Sequence, residues 1–275
     1  MWMFLHSGPV QVALGVSAAA ALLCGALGVF TLTRRQVFAG HALADVASAG
    51  GAAGLLFGVS PFLGFLLCGV AGVGALEFLQ SHRQAARDEA AGILLGAGLG
   101  ITALLLHACL THKGTSGAVQ SVMFGAMFTL SSATVIGAWV TTLGCLLLGG
   151  FIMRPLLLAS LEPDLARVGG VPVRVLSLLF LGLLALGVTL AAMTVGAILA
   201  TALLVGPAAA ALHWANSVRG AVLLSMALAV VACWGGIALA YWSYNWMPGH
   251  VWPVSFFIVA LLLVIYLLSA GRRRR

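Results

Sequence analysis

Long apolar runs follow one another along this chain with only short polar breaks. They fall near residues 12–32, 37–57, 60–79, 90–110, 134–153, 175–192, 195–213, 220–240 and 252–270. Each is close to the roughly 20 residues that a helix needs to cross the hydrocarbon of a bilayer. The pattern predicts an all-α polytopic membrane protein with nine transmembrane helices in a single domain over 1–275. The junction between the sixth and seventh runs is only Ala-Met-Thr-Val. One broken or tilted helix there is the alternative, which leaves eight spans.

Charge sharpens the pattern. The chain carries 13 Lys and Arg against 6 Asp and Glu, a net +7. So few charges exclude a water-soluble surface. The basic residues are scattered between the spans and not gathered on one face, which excludes a nucleic-acid footprint. With nine spans, Arg34, Arg35, Arg83, Arg87, Arg154, Arg167, Arg174, Arg219 and the Arg272–Arg275 run share one side, and only Lys113 lies on the other. Basic loops stay in the cytoplasm, so the N-terminus is expected outside and the C-terminus inside. The terminal arginines read as an anchor beside anionic lipid. Met1 to Gln11 lacks a basic leader, so the first span is expected to remain in the mature protein.

Cys24, Cys68, Cys109, Cys145 and Cys233 are scattered without a paired spacing and read as small buried hydrophobes. Glycine recurs at close helical spacing in Gly51, Gly54, Gly58 and in Gly69, Gly72, Gly74, which lets helices approach in lipid. No phosphate-binding loop of the GxxxxGK[ST] kind occurs, so any ATP must be bound by another subunit. The longest internal polar segment is the connector 154–174, RPLLLASLEPDLARVGGVPVR. Glu162, Pro163, Asp164, Leu165 and Ala166 read as a helix start, with acids near the positive end of the dipole. Gly169 and Gly170 stop that helix. The result is a short helix at the cytoplasmic face, either a solvated connector or a docking element for a cytoplasmic partner.

The connector LEPDLARVGGVPVR resembles the coupling segment of the zinc/manganese-type ABC transporter permeases, the ABC-3 family. VGAILATALLVGPAAAA (195–211), SVMFGAMFTLSSATV (121–135) and RDEAAGILLGAGLG (87–100) are similar to further family segments in the same order. The resemblance covers most of the chain. It implies the permease subunit of an ATP-binding cassette importer for zinc or manganese, and for iron as a further option, in a bacterial inner membrane. It also implies a second permease copy, cytoplasmic ATPase subunits and an extracytoplasmic metal-binding protein. The ATPase would dock on Glu162, Pro163, Asp164, Leu165, Ala166, Arg167, Gly169 and Gly170. The permease itself would catalyse no covalent chemistry. Ala126 and Thr134 stand where the family carries Asp.

AGHALADVASAG (39–50) resembles a family segment in which the Asp and His are exchanged, His41 taking the Asp position and Asp45 the His position. Four residues apart, the two share one face of a helix, about 6 Å apart along the axis. An imidazole and a carboxylate suit Zn²⁺ or Mn²⁺. The bland reading is a hydrogen-bonded pair that packs helices. Glu77 is a further path candidate or a lipid-facing snorkeler. Asp88 and Glu89 read as caps of the fourth span. His107, His112 and His213 are weaker ion contacts, and Tyr241 to Pro253 reads as an interfacial aromatic belt. Two other functions remain open on the residues alone: an importer of a metal chelate, and a secondary transporter driven by an ion gradient. Absence of HExxH and GxSxG argues against an intramembrane enzyme.

Overall fold

A computed structural model describes residues 7–79, 84–114, 117–246 and 252–273. Among these, eleven helices and no strand are present: α1 (Gly8–Thr33), α2 (Val37–Phe57), α3 (Pro61–Leu79), α4 (Gln84–Lys113), α5 (Gly117–Phe124), α6 (Ser132–Leu161), α7 (Pro163–Val168), α8 (Val173–Thr194), α9 (Ala197–Trp214), α10 (Val218–Trp246) and α11 (Val254–Arg273). Eight are both long and apolar enough to cross a membrane. The ninth expected span, α2, has the length, 21 residues or about 31 Å, but not the apolarity. Its sequence is built from Ala and Gly and carries His41 and Asp45. It does not need apolarity, because α3, α4 and α8 pack around it and most of its residues are buried.

Contacts at the helix termini show which ends lie together. At one end, Arg34 after α1 donates to Ser160 of α6 at 3.0 Å and to Ser177 of α8 at 2.6 Å. Glu77 of α3 pairs there with Arg174 of α8 at 3.0 Å. At the other end, Lys113 of α4 donates to the Leu55 carbonyl of α2 at 3.1 Å, and Ser255 of α11 donates to the Phe124 carbonyl of α5. The long helices alternate in direction. α1 reverses into α2 through Arg35, a non-glycine residue at φ 54°.

The centre is made of small residues. Along α1, 78% of the most apolar stretch is buried, against 17% along α6, so α1 is core and α6 is periphery. Small side chains let backbones touch where lipid gives no hydrophobic drive for helix association. The expected weak junction is a true break: α8 and α9 are separate helices joined through Val195 and Gly196. Gly196 (φ 105°) lies against the Met123 and Phe124 backbone, and Gly125 (φ 87°) lies against Thr194. A side chain at either position would collide with backbone, and both conformations favour glycine. Short helix α5 thus latches the α8–α9 turn.

Several elements outrun their apolar windows. α4 starts at Gln84, a turn ahead of Asp88 and Glu89, so these acids stand inside the helix and do not cap it. α6 continues to Leu161, which shortens the polar connector at its start and places Arg154 on a membrane helix. α10 runs to Trp246, so the first half of the expected aromatic belt is helical; residues 247–251 lie outside the described residues.

Candidate metal-ion site

His41 and Asp45 stand one turn apart on α2, with Nε2 and Oδ2 3.8 Å apart. The Asp45 side chain is 2% exposed and that of His41 is 32% exposed. Asp45 Oδ2 is buried and has no hydrogen-bond partner. A buried polar oxygen without a partner is costly, and an ionisable side chain inside a membrane bundle needs a donor or a cation to offset its desolvation. Such an oxygen beside an imidazole is where a cation would be welcome. The opposite ring nitrogen, His41 Nδ1, lies 2.5 Å from Thr201 Oγ1 on α9. With Nδ1–H donating to that hydroxyl, the Nε2 lone pair faces the carboxylate.

Local sequence builds this arrangement. Gly98 on α4 faces the Asp45 and Val46 backbone; a Cβ there would sit 2.9 Å from Val46 N. Gly40 leaves room for the Leu204 side chain of α9, which seats α9 and Thr201 against α2. One turn on, Ser48 Oγ donates to the Asp45 carbonyl at 2.7 Å and lies 3.0 Å from Thr102 Oγ1 of α4. Gly69 of α3 makes space for Thr189 Oγ1 of α8, a second buried oxygen without a partner. Among the described residues no group of three or more His, Cys, Asp or Glu could hold a metal. Two side chains from one copy would make at most a weak site.

The other candidates lie elsewhere. Glu77 is ion-paired with Arg174 at the arginine-bearing end and is not brought to His41 and Asp45. His107 and His112 are exposed on α4. His213 bonds Ser269 at 3.0 Å and stacks tilted on Tyr266 at the end of the α9–α11 pair. Thr134 lines a cavity of about 360 Å³ at the opposite mouth, together with Ser60, Ser121, Thr129 and Ser131. Leu55, also in that lining, is about 15 Å along α2 from Asp45. The connector helix forms as expected: Pro163 opens α7, Arg167 pairs with Asp164 at 3.1 Å, and Gly170 (φ 74°) follows its end. Sequence reasoning did not single out Thr201 or Thr189. The available signal was a hydroxyl inside an otherwise apolar helix.

The profile of the ABC 3 transport family matches residues 8–270. The chain belongs to that family. As an ABC 3 member it is a transport subunit, with ATP hydrolysis in a separate partner. It is similar to the manganese import system permease protein ScaB of Streptococcus parasanguinis, 30% identical over 235 residues, covering 84% of this chain and 81% of the relative. It is also similar to the manganese transport system membrane protein MntC of Halalkalibacterium halodurans, 28% identical over 231 residues, covering 83% and 77%. Its fold matches a chain of PsaBC from Streptococcus pneumoniae in complex with Fab, with a TM-score of 0.84, 24% identity, and coverage of 98% and 95%.

Proposed function

We propose that this chain is the permease subunit of an ATP-binding cassette importer for a divalent transition metal, manganese or zinc, with His41 and Asp45 on the ion's path. The observation that carries the reading is the buried, unpartnered Asp45 Oδ2 beside His41 in the bundle of an ABC 3 chain. Manganese is favoured because ScaB and MntC belong to manganese import and transport systems.

In this reading the arginine-bearing end is cytoplasmic. Helix α7 points Leu165 (60% exposed) and Val168 (88% exposed) outward, and these apolar residues enter a groove of the ATPase subunit. Ala166, fully buried, roots α7 in the bundle. Binding of ATP favours one of two permease states by its differential affinity for them, and the path opens alternately to each side. An extracytoplasmic metal-binding protein delivers the ion at the hydroxyl-lined mouth. Two copies of the permease would bring two His41–Asp45 pairs to one path, which completes four N/O ligands.

The test is Mn²⁺ and Zn²⁺ uptake into vesicles holding the permease and its ATPase subunits. Asp45→Asn keeps shape and removes the charge; uptake is expected to fall more than about tenfold, as when a ligand shell loses a member. ATPase-subunit binding should persist. Uptake by Asp45→Asn equal to that of the unaltered protein would remove the pair from the path.

A further inference from the structure

A second feature lies at the arginine-bearing end, away from His41 and Asp45. Between the last turns of α6 and the first turn of α10 is an open cavity of about 550 Å³. Arg154 and Arg219 both line it, with Ser217, Phe151, Met153 and Leu157. Among the described residues neither arginine forms an ion pair; the pairs present are His41–Asp45, Arg167–Asp164 and Arg174–Glu77. Neither α6 nor α10 carries an acidic residue anywhere along its length. Ser217 Oγ accepts from the Gly220 N–H at 3.1 Å, so its own proton is left to donate outward.

We infer that this cavity binds the headgroup of an anionic glycerophospholipid. Two guanidinium groups around one cavity, with no ion-pair partner among the described residues, call for an anion, and their planar donors match phosphate oxygens. The wall beside them is apolar, which suits the acyl chains below the phosphate. Depth supports the same occupant. Ser160, which Arg34 holds at 3.0 Å, marks the end of the bundle. Arg154 lies six residues earlier on α6, about 9 Å back toward the membrane. That is headgroup level, short of the face where α7 emerges. Basic pockets between membrane helices on the cytoplasmic side hold such headgroups. This inference does not depend on which ion is carried, or on His41 and Asp45.

The measurement is native mass spectrometry of the detergent-purified permease–ATPase complex mixed with equal amounts of phosphatidylglycerol and phosphatidylcholine. The unaltered complex is expected to retain phosphatidylglycerol preferentially. Arg154→Gln or Arg219→Gln should lower that preference by about fivefold each, the effect of one surface cation on anionic lipid. The double glutamine variant should not discriminate, and the Arg154→Lys, Arg219→Lys double variant should keep most of the preference. Millimolar inorganic phosphate should leave the bound lipid in place. Three results would overturn the site: unchanged lipid preference in the double glutamine variant, displacement by inorganic phosphate alone, or loss of the ATPase subunits with lipid preference intact. The last would assign the two arginines to the ATPase surface.

Discussion

Thr201 and Asp45 approach His41 from opposite sides of its ring, one at Nδ1 and one at Nε2. The hydroxyl can accept from Nδ1–H, which frees Nε2 for an ion, and it can donate to Nδ1 when Nε2 carries the proton. A residue with that one task should tolerate serine and not valine. Thr201→Val is nearly isosteric, so packing survives. The half-saturating Mn²⁺ concentration for uptake should rise about tenfold, the usual cost of removing a group that orients a metal ligand. Thr201→Ser should restore it. A common loss in both variants would mark a packing role instead. This pairing also shows what the sequence could display. His41 and Asp45 stood out because charged and imidazole groups are rare in an apolar run, and a spacing of four puts them on one face. Thr201 did not stand out. Hydroxyls in membrane helices commonly bond their own preceding carbonyl, as Thr31 and Thr194 do here, and only the tertiary fold reveals an exception. Glu77 was visible for the same reason as Asp45, but its partner Arg174 lies 97 residues away in sequence, beyond any local pattern.

Arg34 connects elements that the chain keeps far apart. Its two terminal nitrogens hold Ser160 at the end of α6 and Ser177 at the start of α8, the two legs that flank α7. The guanidinium also lies 5.3 Å from the Phe180 ring centre. Three residues later α2 begins, which carries His41 and Asp45. In the proposed transport cycle, a push on α7 would reach the base of α2 through this one side chain. Arg34→Ala should leave ATPase-subunit binding and ATP hydrolysis in place while lowering metal uptake per ATP consumed, by about tenfold if all three contacts act together at roughly 1–2 kcal/mol net. Parallel assays of phosphate release and Mn²⁺ uptake in the same vesicles read this ratio; an unchanged ratio means the strut carries no motion. Element identity was largely legible. All nine apolar runs became helices, because a run of that length has few other options. The ends were less so: α4, α6 and α10 extend beyond their apolar windows, since a helix continues past the lipid as long as caps and breakers permit. Helix α5, at 8 residues, was too short to leave a periodic trace.

At the scale of the molecule, the number of crossings hinges on α2. Hydropathy selects eight helices and omits it, whereas the end-to-end contacts require it to traverse the bundle. Its start follows Arg34 at the arginine-bearing end, and its last turn meets Lys113 at the other. A segment walled by protein on most sides has little lipid to satisfy, so its composition answers to close packing instead. The two counts make opposite predictions for a pair of positions. Between Arg35 and Lys113 lie α2, α3 and α4. If all three cross, the two residues face opposite compartments; if α2 does not, they face the same one. Replacing the five free cysteines Cys24, Cys68, Cys109, Cys145 and Cys233 and introducing Arg35→Cys or Lys113→Cys one at a time allows a direct reading with a membrane-impermeant maleimide on intact cells. Labelling is expected at position 113 and, at position 35, only after the cells are opened. Labelling of both in intact cells would demote α2 to a buried, non-crossing helix. The reverse pattern would keep nine crossings and invert the protein, since arginine-rich loops are held in the cytoplasm by the charge bias of insertion. It would also put α7 on the wrong side of the membrane for a cytoplasmic ATPase. The expected pattern therefore joins the helix count, the orientation and the docking face in one measurement, because all three follow from the placement of a few arginines at one end of an otherwise apolar bundle.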